Sequence, residues 1–406
     1  MTATFDFYDP DGYVAGPPHQ LFARLRREQP VVWQDIPGEP GYWAVLRHAD
    51  LVHVAREPVL FSAATGGVVL EDLPPESLAM MQDMLLAMDP PRHLGYRRSA
   101  SPHFAPRVMA RLEPRIREIC QEIMRDAADR EVDFVHDVCA KLPSQVVGEL
   151  MGIPSEDWPR IHAWSEMNSG GQDPDIASGY AADAAMSATV DMAMYAIELA
   201  GRRRAKPADD LTTLMLAVEV DGEAMTDIQF GSFFVQLVTA GNDTTRTMLS
   251  SGLLALLQHP DQLAKLRADP SLIPNALEEI LRYANPLHYF RRTATADTSL
   301  AGIPISAGDK VAMMYTSANR DETVFVRPQE FDIHRDPNPH LSFGTGEHFC
   351  LGIHLARLEG RVFFEELLAH FPSISLTGEA RRQRSNLNNA LKELPVHLST
   401  RPVAGH

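Results

Sequence analysis

The stretch FGTGEHFCLG, Phe343–Gly352, sets one of only three cysteines in 406 residues among three glycines, just ahead of an apolar helical pattern. Gly344 and Gly346 permit a tight, backbone-close turn with dihedral angles that other residues avoid. In GIHLARLEGRVFFEELLAHF, which follows, Ile353, Leu355, Ala356, Leu358, Val362 and Phe363 form an apolar stripe that predicts a helix packed on the core. The loop is not a phosphate loop, because no Gly-Lys-Ser/Thr follows, and Phe349 stands where a dinucleotide fingerprint needs a third glycine. Three readings of Cys350 remain open at this level: an inert buried thiol, a member of a zinc-type trio with His348 and His354, or a single thiolate ligand. A structural zinc site wants four closed ligands, and Cys120 and Cys139 fall far away within helical patterns. The third reading has its own physical support, since amides at a helix N-terminus stabilise negative charge on sulfur and lower a thiol pKa.

Upstream, the longest helix candidate begins at Thr226, where TDIQ offers a capping box with Gln229, and runs to about Gln258 before His259-Pro260. At 1.5 Å per residue it spans roughly 48 Å, enough to cross a domain. Its middle, AGNDTTR, interrupts an apolar run. On a helix Leu237, Ala240, Gly241, Thr244 and Met248 share a face, and Ala240 and Gly241 strip that face of bulk, leaving room for something flat. Thr244 is placed to donate to the carbonyl of Ala240 four residues back, and Asp243 puts a carboxylate beside that hydroxyl, a plausible path for protons. The alternative is a helix irregularity with Asp243 and Thr245 facing water. A second helix, PNALEEILRYA, starts with Pro274 at a favourable first-turn position. It carries Glu279 and Arg282 at i,i+3, a spacing that Glu122/Arg125 and Glu379/Arg382 also show and that a solvated face explains equally well.

The remaining pattern is mostly helical, with Pro18–Gln29, Asp50–Glu57, Pro106 to about Arg130 and Glu156–Arg204 at helical spacing. Short strands are expected at VVWQDI, YWAVLR, RRTATADTSLAG, IPISAGDKVAMMYTSAN and PVHLST. Residues 62–91, methionine-rich at MMQDMLLAM, show no regular pattern. No repeat or low-complexity linker divides the chain, which predicts one domain over 1–406. The formal net charge of −17 argues against nucleic acid or an anionic membrane as the main partner. Three scattered cysteines suit a reducing compartment; the first residues lack a secretory pattern and no apolar run is long enough to span a bilayer, so a cytoplasmic protein without a membrane anchor is expected.

Three motifs stand in one order: AGNDTT at 240–245, Glu279-x-x-Arg282, and Phe343-x-x-Gly346-x-x-x-Cys350-x-Gly352. This ordered set resembles the cytochrome P-450 family of haem-thiolate monooxygenases, over essentially the whole chain, including DPPRHLGYRR near residue 90 and FVRPQEFDIHR before the cysteine loop. The resemblance implies a mainly α fold with small β-sheets, with haem b between a long distal helix and a proximal cysteine loop. It implies Cys350 as the axial ligand of the iron, within a loop framed by Phe343 and Gly352, and Glu279 and Arg282 as a structural pair. Asp243 and Thr244 would deliver protons to dioxygen, and Ala240 and Gly241 would lie over the haem. His93, Arg97, Arg292 and His348 would meet the haem propionates, with Arg98 and Arg291 one position away.

The implied activity is hydroxylation of a hydrophobic small molecule (a terpenoid, steroid or branched lipid) by dioxygen and two electrons. Those electrons would come from a separate ferredoxin and its reductase to a monomeric enzyme. Arg92, Arg97, Arg98, Arg107, Arg111, Arg357 and Arg361 are candidate docking cations for an acidic ferredoxin. Residues 62–88, with Met80, Met81, Met84 and Met88, are expected to cover the substrate pocket, and Phe234, Leu237, Val238, Leu287 and Phe290 to line it. A haem-thiolate peroxygenase and a non-catalytic haem sensor are the alternative functions.

Overall fold

The computed structural model describes residues 5–177, 184–220 and 223–401. The fold is mainly helical with small sheets, and its axis is the helix Asp227–Gln258. The capping box at its start is present as the sequence predicts, with Thr226 and Gln229 each satisfying the other's backbone N–H. Every residue from Thr245 to Leu256 is buried, so the second half of the helix is enclosed on all sides by the main core. Against it pack the helices Lys141–Leu150, Trp158–Gly170, Ala184–Ala205, Ile273–Tyr283 and Ile353–His370. Pro274 lies in the first turn of Ile273–Tyr283, where its missing N–H costs nothing.

The strands collect largely in one five-stranded sheet, in the order Val31–Ile36, Glu39–Val45, Lys310–Met314, Tyr289–Ala294, Phe61–Ser62. Only the pairing of Lys310–Met314 with Glu39–Val45 is parallel. In the strand Tyr289–Ala294, Val311 faces Arg292 and Ala312 faces Arg291. Successive side chains leave a strand on opposite faces, so these two arginines are sent to different places.

Residues 62–91 are more regular than their pattern suggests. They contain the helix Pro75–Gln82 and a short turn at Leu85–Ala87. No residue of Pro75–Gln82 is buried, which is why apolar periodicity carries no trace of it, while Pro75 in its first turn was the available start signal. The predicted Glu156–Arg204 stretch contains Trp158–Gly170, Pro174–Ala177 and most of Ala184–Ala205, and its positions 178–183 lie outside the described residues. Among the described residues, no helix is long and apolar enough to cross a membrane.

Candidate functional site

The cysteine loop is held by its own backbone. The Cys350 N–H donates to the Phe343 carbonyl at 2.8 Å, and the Gly344 N–H to the Leu341 carbonyl at 2.8 Å. Gly346 has φ 72°, and a Cβ there would stand 2.3 Å from the Ala55 carbonyl oxygen. Only glycine lets the loop seat on the helix His48–Arg56. The helix after the loop begins at Ile353 with Gly352 as its cap, so Cys350 precedes it rather than opening it. Burial pushes the Cys350 thiol up, against the opposing influence of the Gly352 N–H, Arg97 and Arg357. The expected lowering by helix amides is therefore outweighed in the protein alone. Coordination to a metal removes the proton from a ligating thiol outright. Among the described residues, no three His, Cys, Asp or Glu side chains are grouped to hold a bare ion, so His348, Cys350 and His354 are not a zinc trio.

Beside the loop, four donors converge. The rings of His93 and His348 lie 4.2 Å apart, and both ring nitrogens of His93 and the Nε2 of His348 are buried without a protein partner. Burial, then Arg97 and Arg292, push His93 down to about 4. Burial, then Arg292, His93 and Arg97, take His348 further, to about 2. Arg97 also lies within electrostatic reach of Cys350. Buried imidazoles with no acceptor, next to two guanidiniums, could hold an anionic group with carboxylates to spare. The neighbours Arg98 and Arg291 are elsewhere. Arg98 is exposed, and Arg291, on the other face of its strand, binds the carbonyls of Val69, Leu70 and Glu71 and the Asp72 carboxylate at 3.1 Å.

On the long helix, Ala240 is exposed although it sits mid-helix between buried turns, and Leu237, Gly241 and Thr244 are partly so. An open surface there borders internal space. The Thr244 hydroxyl donates to the Ala240 carbonyl at 2.6 Å, the bond its spacing predicts. Gly241 has a different task from the one expected: a Cβ would lie 2.8 Å from Val147 Cγ2, so its lack of a side chain serves the contact with Lys141–Leu150. Asp243 pairs with Arg246 at 3.2 Å, and Arg246 with Glu166 at 3.3 Å.

The candidate pocket residues divide. Met84, Leu237, Leu287 and Phe290 are partly exposed. Phe234 and Val238 have no exposed surface and Met88 almost none; Phe234 packs its ring on Tyr195 and Phe230, so neither Phe234 nor Val238 borders open space. They lie one helical step from the Leu237–Ala240 face, toward the core.

Glu279 and Arg282 are fully buried and joined by two bonds of 2.7 Å. Glu279 also accepts from Arg335 Nε, Asn338 Nδ2 and the Asp332 N–H. Arg282 donates onward to the carbonyls of Asn319, Pro328 and Glu330. Sequence reasoning missed Arg335 and Asn338, although Arg335 stands at the end of FVRPQEFDIHR. Glu122 and Arg125, at the same spacing, are both exposed, and Arg382 bonds Asn389 rather than Glu379. Of the candidate docking cations, Arg92, Arg357 and Arg361 are already engaged, by Asp83, by Glu278, and by Glu113 with Glu365. Arg98, Arg107 and Arg111 remain exposed.

Residues 185–397 match the family model for Cytochrome P450. The chain is 38% identical to a steroid C26-monooxygenase of Rhodococcus jostii over 98% of this chain and 85% of that protein. It is 41% identical to a methyl-branched lipid omega-hydroxylase of Mycobacterium tuberculosis, over 93% of this chain and 90% of that protein. A solved Mycobacterium marinum cytochrome P450 in complex with pseudoionone superposes with a TM-score of 0.90 at 38% identity, covering 98% of this chain and 99% of that one. The chain belongs to the cytochrome P450 family. It is a haem-thiolate monooxygenase that uses protoporphyrin IX haem and dioxygen and draws electrons from a redox partner.

Proposed function

We propose that Cys350 is the axial ligand of the haem iron and that His93, Arg97, Arg292 and His348 hold the propionates. The observation that carries this reading is Arg97, which lies within reach of the Cys350 thiol and of both orphaned histidines, so that thiol and anion donors border one space. The donor set fits the group: two carboxylates would satisfy ring nitrogens that no protein atom meets. When bound, haem supplies the activation of dioxygen and the oxidation of the substrate. The protein's share is positional and protonic. Asp243 holds a proton next to the open face at Ala240. Thr244, whose own hydrogen goes to the Ala240 carbonyl, turns its oxygen lone pairs toward that face, where they orient a donor. Glu279 and Arg282 are structural, together with Arg335.

The substrate is a hydrophobic terpenoid, steroid or branched lipid. Support comes from the names of the two relatives, from the pseudoionone complex, and from the partly exposed methionines 80, 81 and 84 near the 75–82 helix, adaptable apolar side chains. Electrons come from a ferredoxin, with Arg98, Arg107 and Arg111 as the docking cations left exposed. They flank a groove of about 260 Å³ between residues 106–113 and 353–361. The chain works as one domain and as a monomer, in the cytoplasm, where its three free thiols stay reduced. The test is a spin-state titration of the purified holoprotein with pseudoionone, cholesterol and a methyl-branched fatty acid, followed by product analysis. A spin shift and hydroxylated product with at least one of the three is expected. Silence with all three, alongside turnover of a polar or planar aromatic compound, would overturn the substrate class.

A further inference from the structure

Hydroxylation consumes two protons: substrate, dioxygen, two electrons and two protons yield alcohol and water. Asp243, whose side chain is 13% exposed, must be recharged after each proton it gives. Its surroundings contain a chain of ionisable groups that the activity described so far does not use. Arg246 Nη2 lies 3.2 Å from Asp243 Oδ1, and Arg246 Nη1 lies 3.3 Å from Glu166 Oε1. Glu166 Oε1 in turn lies 3.9 Å from His136 Nδ1. Arg246 is buried, while the His136 side chain is 46% exposed and has Asp133 3.9 Å away on its other nitrogen. One turn before Glu166, on the helix Trp158–Gly170, His162 is within electrostatic reach of Glu166, Arg246, Asp243 and His136 at once. The chain thus runs from solvent to the catalytic acid across three elements.

We propose that His136, Glu166 and His162 form the route by which solvent protons reach Asp243, with Arg246 clamping the two carboxylates beside it. The proposal rests on the reading of Asp243 as the proton donor. Arg246 keeps its proton at all working pH values and is no carrier; it holds both acids on one cation. His162 is the carrier. Burial pushes its imidazole below the ordinary value. A neutral ring has one N–H to give and one bare nitrogen to receive. Glu166 takes a proton from the His136 imidazolium and passes it to the bare nitrogen of His162. The opposite N–H of His162 then passes its proton to the Asp243 carboxylate. One proton has moved inward, no charge is left on His162, and the ring resets by rotation. Gln236, Thr239 and Asn242, three residues apart on the long helix, add buried polar atoms without a protein partner to the same stretch. Groups so placed are met by ordered water, which bridges the longer gaps.

Glu166→Gln tests the route in the holoprotein, using whichever of pseudoionone, cholesterol and the branched fatty acid gives the largest spin shift. Dioxygen-driven kcat should fall by about tenfold or more and its solvent deuterium isotope effect should rise. Substrate affinity by spin shift, the melting temperature and turnover driven by hydrogen peroxide, which brings its own protons, should stay within about twofold or a few degrees of the parent. Glu166→Asp should recover part of the rate. The surface variant His136→Gln should show the same selective loss, and it stands in if Glu166→Gln does not fold. An unchanged dioxygen-driven rate, or an equal loss in the peroxide-driven reaction, would overturn the relay. Asp243→Asn separates the two levels: if it is impaired while Glu166→Gln and His136→Gln are not, the relay alone fails. If Asp243→Asn is itself unimpaired, the proton role of Asp243 fails with it.

Discussion

Two helices of this protein each carry an acid followed three residues later by an arginine, and the two pairs have opposite fates. Glu279 and Arg282 are 0% exposed. Each oxygen of Glu279 has at least two donors and every branch of Arg282 is committed, most of it to backbone carbonyls. Such a carboxylate has no site left to take or give a proton. Asp243 and Arg246 leave theirs open, with the guanidinium shared to Glu166 and the chain continuing toward an exposed histidine. The spacing is identical, so the spacing does not decide the role. What decides it is whether the acid's partners are exhausted within the fold or lead out to solvent.

Breaking the closed pair should have the largest effect. Glu279→Gln leaves two buried guanidiniums short of their anion, and a loss of about 3 kcal/mol or more of stability is expected, with little haem retained. Thermal unfolding and haem content of the purified variant check this. Breaking the open pair should instead spare the fold and harm the chemistry. Asp243→Asn should lower dioxygen-driven kcat by about 100-fold while the melting temperature stays near that of the parent, read by steady-state kinetics and calorimetry. A smaller effect sharpens the account of Glu279. Arg335→Lys removes the Nε donor to Glu279 and the fork that binds the Val326, Arg327 and Glu330 carbonyls, so a loss of about 1–2 kcal/mol is expected in denaturant unfolding. The smallest is the control at the same spacing: Glu122→Ala, on an exposed pair, should change stability by no more than about 0.5 kcal/mol.

Much of this contrast was legible in the sequence, and the parts that were not share a cause. The capped long helix, the Thr244 hydroxyl bonding back to Ala240, and the glycine-supported cysteine loop are local features, set by residues within a few positions of one another. The order of the three motifs pointed to the family. Arg335, Asn338, Glu166 and His136 come from elsewhere in the chain, and no local pattern ties them to the acids they serve. The register of Arg291 and Arg292 needed the sheet, because adjacent strand residues face opposite ways. Gly241 looked like space for a cofactor and proved to be space for Val147, a distinction between two faces that helical spacing alone does not resolve. Phe234 and Val238 were placed one step too far toward the open face for the same reason. Burial, which raises the Cys350 thiol against its helix amides, is likewise a property of the packed fold.

The central claim is that Cys350 carries the haem iron and that the donor cluster beside it holds the same group. The most direct measurement is the absorption spectrum of the reduced carbon monoxide complex of the parent and of Cys350→Ala, each reconstituted with haem. The account predicts the red-shifted Soret band of a thiolate-ligated haem in the parent and its complete loss in the variant. A thiolate-type band that survives in Cys350→Ala would contradict it.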